Sequence, residues 1–249
     1  MISFSHVTKI YGKRKKQRVA VEDFSLDVAA PICGFLGQNG AGKTTVVKMV
    51  TGLLEPTSGT ITIDGMPSSS AESKQKMGFM PETPYFYESM TGIEFLRFCA
   101  ELFSAGDRDD AFLEGLLKKA GIAEARDYEI HTYSKGMRQR LGFAQSLVND
   151  PEYLFLDEPL DGLDPIGRHD LKESMLALKQ EGRKIFLNTH ILYDVEEICD
   201  EVGIIHEGKL LYAGSVKNFC AGRPLEERFV EIVKEHEKKY EERRTKKEA

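Results

Sequence analysis

The sequence offers no apolar run of about 18 residues, so no segment is long enough to span a bilayer as a helix. It has no excess of basic charge either. Lysine and arginine number 34 against 40 aspartates and glutamates, a net charge of −6, which argues against a nucleic-acid partner held by overall electrostatics. There is no C-x-x-C pair. Cys33, Cys99, Cys199 and Cys220 are scattered through apolar or helical contexts, which fits buried free thiols in a reducing cytosol better than metal or redox use. Met1 to His6 lack a basic segment followed by an apolar core, so no secretory signal is read there. No repeat of solenoid length recurs. What is present is an ordinary globular balance, 41% apolar and 30% charged over 249 residues, enough for one large domain or two small ones with ample core.

The most informative stretch is GQNGAGKTT, Gly37 to Thr45. It fits the phosphate-loop template G-x-x-x-x-G-K-[ST], with Gly37, Gly42, Lys43 and Thr44 in the fixed places. Ile32 to Leu36 before it reads as a buried strand, and Thr45 to Val50 after it as the opening of a helix stopped by Gly52. Phosphates suit this arrangement. Backbone N–H groups at a helix start point at an anion with no side chain in the way. Lys43 would neutralise the β- and γ-phosphates, and the Thr44 hydroxyl would ligate Mg²⁺. Taken alone, the loop implies binding of a nucleoside triphosphate and no more.

The first part of the chain is β-rich. Residues 2–8 alternate apolar and polar, 19–28 and 60–63 read as strands, and the basic run from Gly12 to Arg18 reads as a solvated hairpin tip. From about 90 to 150 the period becomes helical, with segments at 92–103, 111–122 and 134–150. Gly106-Asp107 breaks the first from the second, and Ser134 caps the third. Residues 151–205 alternate strands at 153–156 and 184–187 with a helix at about 165–181, a parallel α/β pattern. Glu226 to Ala249 is dense in Glu, Lys and Arg, an apolar-faced helix that becomes solvated or frayed.

Further motifs carry chemistry. In YLFLDEP, Tyr153 to Pro159, an apolar strand delivers two carboxylates to the sheet edge where α/β proteins bind ligands. Asp157 suits Mg²⁺, and Glu158 suits a general base that deprotonates an attacking water. Ser134 and Gly136, at a helix start in YSKGMRQRL, offer a hydroxyl and N–H groups to an anion. His190 in FLNTH follows a strand and is placed to contact a γ-phosphate.

In order, GQNGAGKTT, YSKGMRQRL, YLFLDEP, LDGLDP and NTH resemble the nucleotide-binding subunits of ATP-binding cassette (ABC) transporters over roughly the first 220 residues. The resemblance implies a P-loop NTPase core of α/β class with a mainly parallel sheet, an antiparallel β subdomain and an inserted helical subdomain. Its boundaries would be a nucleotide-binding domain at 1–222, helical insertion at about 88–150, and a charged tail at 223–249. It implies an ATPase whose cofactors are ATP and Mg²⁺, powering movement of a substrate, in the export direction, through a separate integral membrane subunit. Tyr11 would stack on adenine. Gly37, Asn39, Gly40, Ala41, Gly42, Lys43, Thr44 and Thr45 would hold the phosphates, with Thr44, Asp157 and Glu82 at the metal. Lys43, Glu158 and His190 would carry the catalysis, and Asp164 lies in the D-loop. The family works as a head-to-tail dimer, so Ser134 and Gly136 would close over ATP held by a second nucleotide-binding subunit. The protein would sit in the cytoplasm, on the inner face of the membrane through its partner, with no nucleic acid bound.

Two departures stand out. The family signature Leu-Ser-Gly-Gly-Gln reads Tyr133-Ser134-Lys135-Gly136-Met137 here; Lys135 either adds positive charge or is a solvated side chain. Glu82 replaces a glutamine, adding negative charge near Asp157 and Glu158. Tyr85-Phe86-Tyr87 follows, where the family docks its membrane subunit; core packing and docking are both open. Glu82, the Lys135 signature and the Leu225 to Phe229 segment look most like the exporter-type branch. A soluble mechanical ABC ATPase would use the same site, but usually with a coiled-coil insertion or two tandem cassettes. A phosphate-loop GTPase would need Asn-Lys-x-Asp, which is absent, and neither it nor a small-molecule kinase accounts for YSKGMRQRL and NTH.

Overall fold

The computed structural model describes residues 1–12, 16–103 and 108–248. Two sheets and a helical layer make up the fold. An antiparallel sheet takes β1 (Ile2–Tyr11), β2 (Arg18–Val28), β4 (Ser58–Ile63) and β5 (Met66–Pro67), in the order β2-β1-β4-β5. The larger sheet takes β3 (Ile32–Leu36), β6 (Met77–Met80), β7 (Tyr153–Asp157), β8 (Lys184–Thr189), β9 (Glu201–His206) and β10 (Lys209–Ser215), in the order β10-β9-β3-β8-β7-β6. Every pairing in it is parallel except that of β10 with β9.

β3 and β7 are buried along their whole length, which is why they read as unbroken apolar runs: helices or a second sheet cover both faces. The two faces separate cleanly by the period of two along a strand. Cys33, Phe35, Phe155 and Phe186 turn toward the antiparallel sheet and α1 (Lys43–Val50), while Leu36, Leu154, Leu156 and Leu187 turn toward the other helices. A chain of rings ties the sheets together. Phe4 meets Phe24 edge-on at 5.2 Å, Phe24 meets Phe35 at 5.7 Å, and Phe35 meets Phe186 at 5.3 Å. Each such pair contributes about 0.5–1.5 kcal/mol beyond its buried area.

The helical layer contains α3 (Gly92–Leu102), α4 (Asp110–Lys119) and α5 (Lys135–Gln145), which follow the short α2 (Ala71–Gln75). Thr91 and Glu94 form a reciprocal capping box on α3, and Asp109 caps α4. The third helix stops at Gln145, short of the expected 150. There the N–H groups of Leu147 and Val148 turn back to carbonyls three residues earlier, and Asp150 takes a left-handed φ of 55°. These tighter turns end the α-helical ladder before Pro151 is reached. The expected break at Gly106-Asp107 and the tip residues Lys13 to Lys15 lie outside the described residues.

Helix α6 (Pro165–Gln180) follows β7, and α7 (Leu192–Ile198) follows β8. The chain closes with α8 (Val216–Cys220) and α9, a helix over Leu225–Glu248. Leu225 and Val233 are buried, with Phe229 and Ile232 packed on the same core. All four cysteines are buried free thiols. Burial pushes the Cys33 thiol up to about 12 and that of Cys99 to about 11, so neither is a ready nucleophile. Among the described residues no helix is long and apolar enough to cross a membrane.

Candidate functional site

The strand order places β8 between β3 and β7, so the C-terminal ends of all three lie side by side. Ligands of open α/β sheets bind outside such ends. Each end delivers one part of the site: β3 runs into the 37–42 loop and α1, β8 leads to His190, and β7 leads to Asp157 and Glu158. They enclose a cavity of about 530 Å³ lined by Tyr11, Asn39, Gly40, Gly42, Lys43, Thr44, Thr45, Glu82, Asp157, Glu158 and His190.

The loop is built for close approach. Gly42 has φ of 112°, a conformation costly for any other residue, and no side chain caps the helix that begins after it. The first-turn N–H groups, which lack partners inside a helix, therefore border the cavity. Lys43 is buried and donates to the carbonyls of Gly37 at 2.7 Å and Gln38 at 3.4 Å. Burial lowers its pKa, and the charges of Glu158, Asp157 and Glu82 oppose that shift. Gly37 and Ala41 do not line the cavity. A Cβ on Gly37 would come within 2.4 Å of the Ile205 carbonyl, so this glycine lets the loop lie against β9.

Glu158 is held from several sides. Its backbone takes a left-handed φ of 50°, its N–H donates to the Asn188 carbonyl at 2.8 Å, and its carbonyl accepts from Asp161 N–H at 3.1 Å. Its nearly buried carboxylate meets His190 Nδ1 at 2.9 Å. Asp157 is only 2% exposed and accepts a hydrogen bond from Asn188. Burial lifts its carboxyl to about 6; the Asn188 bond and Lys43 oppose the shift, and Glu82 and Glu158 reinforce it.

This shift has a definite sign. The folded chain holds the Asp157 proton more tightly than the unfolded chain, whose aspartates titrate near 3.9. The resulting stability is fully present below about 4 and is lost as pH rises through about 6. Asp157→Asn, a neutral isostere, is therefore expected to stabilise the nucleotide-free protein by on the order of 1–3 kcal/mol at pH 7.5, and not at pH 4. Thermal melting at both pH values with EDTA present checks this; the same gain at both would show that the buried charge is not its source.

Tyr11 is half exposed at the cavity wall, its hydroxyl 3.5 Å from that of Thr45. Ser134 and Gly136 are not brought to the cavity. Ser134 caps α5, accepting from Met137 N–H at 3.2 Å, and Gly136 packs near Leu163. Asp164 caps α6 by accepting from Gly167 N–H at 2.7 Å. Lys135 does not line the cavity: its side chain is largely exposed, and its Nζ pairs with Asp161 Oδ2 at 2.7 Å. The aromatic triplet divides. Phe86 is core, whereas Tyr85 is 83% exposed and Tyr87 packs edge-on against Phe98.

Sequence reasoning missed four lining residues, Arg18, Ala20, Asp161 and Asn188. Asp161 and Asn188 lie inside LDGLDP and FLNTH, so both were within view. Arg18 carried no local signal; it reaches the site because β2 pairs it with Tyr11 across the ladder. Among the described residues no group of three His, Cys, Asp or Glu side chains could hold a metal alone. Asp157, the more deeply buried of the two buried carboxylates in the cavity, and Thr44, which lines the same cavity, instead fit Mg²⁺, which takes few protein ligands and completes its shell with water and phosphate oxygens.

The family profile described as ABC transporter matches residues 21–161. An uncharacterized ABC transporter ATP-binding protein of Synechocystis is 45% identical over 74% of this chain, but the match spans only 52% of that relative, so the chain covers about half its length. The bacitracin transport ATP-binding protein BcrA of Bacillus licheniformis is 39% identical over 85% of this chain and 68% of its own. A solved ATP-binding subunit of an ABC transporter superposes with a TM-score of 0.84 at 29% identity, covering 94% of this chain and 99% of that one.

Proposed function

The chain belongs to the ABC transporter family, and from that premise we propose that it binds and hydrolyses ATP to drive a substrate, in the export direction, through a separate integral membrane subunit. The convergence of Lys43, Glu158 and His190 at three adjacent strand ends carries this reading. Adenine stacks on Tyr11, and the phosphates lie along the cavity-facing part of the loop, Asn39, Gly40 and Gly42 to Thr45. Lys43 exchanges its carbonyl partners for β- and γ-phosphate oxygens. Thr44, Asp157 and Glu82 would hold Mg²⁺, which when bound neutralises charge on the phosphates. Glu158 accepts a proton from water as the water oxygen bonds to the γ-phosphorus and the bond to the ADP oxygen breaks. His190, bonded to Glu158 through Nδ1, orients that carboxylate.

The site is half of a larger one. Ser134 and Gly136 stand away from the cavity of their own chain, which supports their closing over ATP on a second nucleotide-binding subunit in a head-to-tail dimer. Closure drives the membrane subunit through its cycle, and hydrolysis reopens the dimer. Tyr85 and Tyr87 present an exposed aromatic edge suited to that membrane partner, which would hold the protein at the inner face of the membrane. The bacitracin-transport relative and the exporter-like departures at Glu82 and Lys135 favour export.

Purification from detergent-extracted membranes tests the proposal. The chain is expected to copurify with an integral membrane subunit and to turn over ATP faster than GTP. Recovery on ribosomes or nucleic acid, with no membrane subunit, would favour a soluble mechanical ATPase instead; phosphate transfer to a small acceptor would favour a kinase.

A further inference from the structure

Helix α5 does more than present Ser134. One turn along it, Gln139 is buried and its Nε2 donates to the backbone carbonyl of Glu158 at 2.8 Å. We propose that Gln139 is the positioning residue for Glu158, so that the seating of Ser134 on a partner's ATP sets the geometry of this chain's own general base. The inference rests on the dimeric ATPase reading above.

The backbone of Glu158 is strained at φ of 50°. Such a conformation persists only where the surroundings over-determine it. Three bonds do so: the N–H to Asn188 from the sheet, the carbonyl to Asp161 within the turn, and the carbonyl to Gln139 from another element. Only the last reports the position of α5. A second tie runs parallel to it, since Lys135 pairs with Asp161 and its methylene stem lies against Gly162. The start of α5 and the 158–162 turn are therefore joined at two points, one buried and one exposed. The exposed pair contributes little in water. The buried amide is not screened, so a shift of α5 is transmitted through it to the Glu158 carbonyl. The His190 contact then sees the carboxylate of Glu158 move relative to the γ-phosphate.

Gln139→Met keeps the length and bulk of the side chain and removes the donor; Gln139→Asn keeps the amide but shortens its reach. The Glu158 carbonyl retains its Asp161 bond in both, so both are expected to fold, and melting curves check this. Each is expected to lower kcat about ten- to a hundredfold, the upper end being the scale for a catalytic group misplaced by about 1 Å, with unchanged ATP affinity and a Hill coefficient falling toward one. In a Glu158→Gln background, single-turnover hydrolysis should show no additional loss, because a residue acting only through Glu158 has nothing left to position. Wild-type kcat and cooperativity in both folded variants overturn the inference. So does a further tenfold loss in the Glu158→Gln background, which would place the action of Gln139 elsewhere. Normal turnover by Glu158→Gln alone would instead overturn the catalytic reading on which the inference stands.

Discussion

Glu158→Gln is expected to slow ATP hydrolysis by on the order of 10²–10⁴-fold, the range for loss of a general base. The substitution changes one atom of a side chain held on every side. Its N–H and carbonyl bonds to Asn188, Asp161 and Gln139 are backbone-mediated and survive. The amide can still meet His190, but it has no lone pair basic enough to take the proton of water at neutral pH. Chemistry is therefore removed while binding is left intact. The proposed mechanism adds a second consequence: if hydrolysis reopens the dimer, the variant accumulates as an ATP-bound dimer. Phosphate release measures the first effect, and light scattering with and without ATP measures the second. A variant that turns over normally would remove Glu158 from catalysis, and one that is inactive yet monomeric with ATP would separate hydrolysis from dimer opening.

Those parts of the site that are contiguous in the chain were legible in the sequence. A loop whose glycines and lysine are at fixed spacing announces its own backbone, and a buried strand ending in Asp157-Glu158 announces where its carboxylates emerge. What could not be read is what depends on which strand lies beside which. Nothing local says that β8 sits between β3 and β7, yet that order is what puts His190 on Glu158. Arg18 enters the cavity through a cross-strand partner, and Gln139 matters because of a carbonyl 19 residues away. Lys135 shows the same limit. Its charge could be read, but the partner that uses it, Asp161, is fixed by how α5 lies on the turn after β7. The end of α5 was missed for a different reason: Leu147 and Val148 keep an apolar pattern that a helix would also show, while the backbone has already tightened into turns.

Lys43→Ala is expected to reduce ATP affinity by at least about a hundredfold, on the scale of a buried charge pair lost from an otherwise complete site. Lys43 is the cation that faces Asp157, Glu158 and Glu82 together. Without it, the triphosphate meets three carboxylates with the partial charge of a helix start and, at the cavity wall, Arg18. On the proposed reading the adenine end is untouched, because Tyr11 belongs to β1 of the separate antiparallel sheet and does not depend on the Lys43 side chain for its place at the cavity wall. Adenosine should accordingly bind wild type and variant alike, which distinguishes a lost phosphate contact from a collapsed pocket. A second readout is electrostatic. Lys43 is among the groups that hold down the Asp157 pKa, so its removal should move that titration above about 6, visible as a shifted pH dependence of melting. Calorimetry with ATP, ADP and adenosine measures the affinities. Equal loss for all three ligands would mean that the loop had misfolded, and unchanged ATP affinity would mean that the phosphates do not lie where the Lys43 ammonium can reach them.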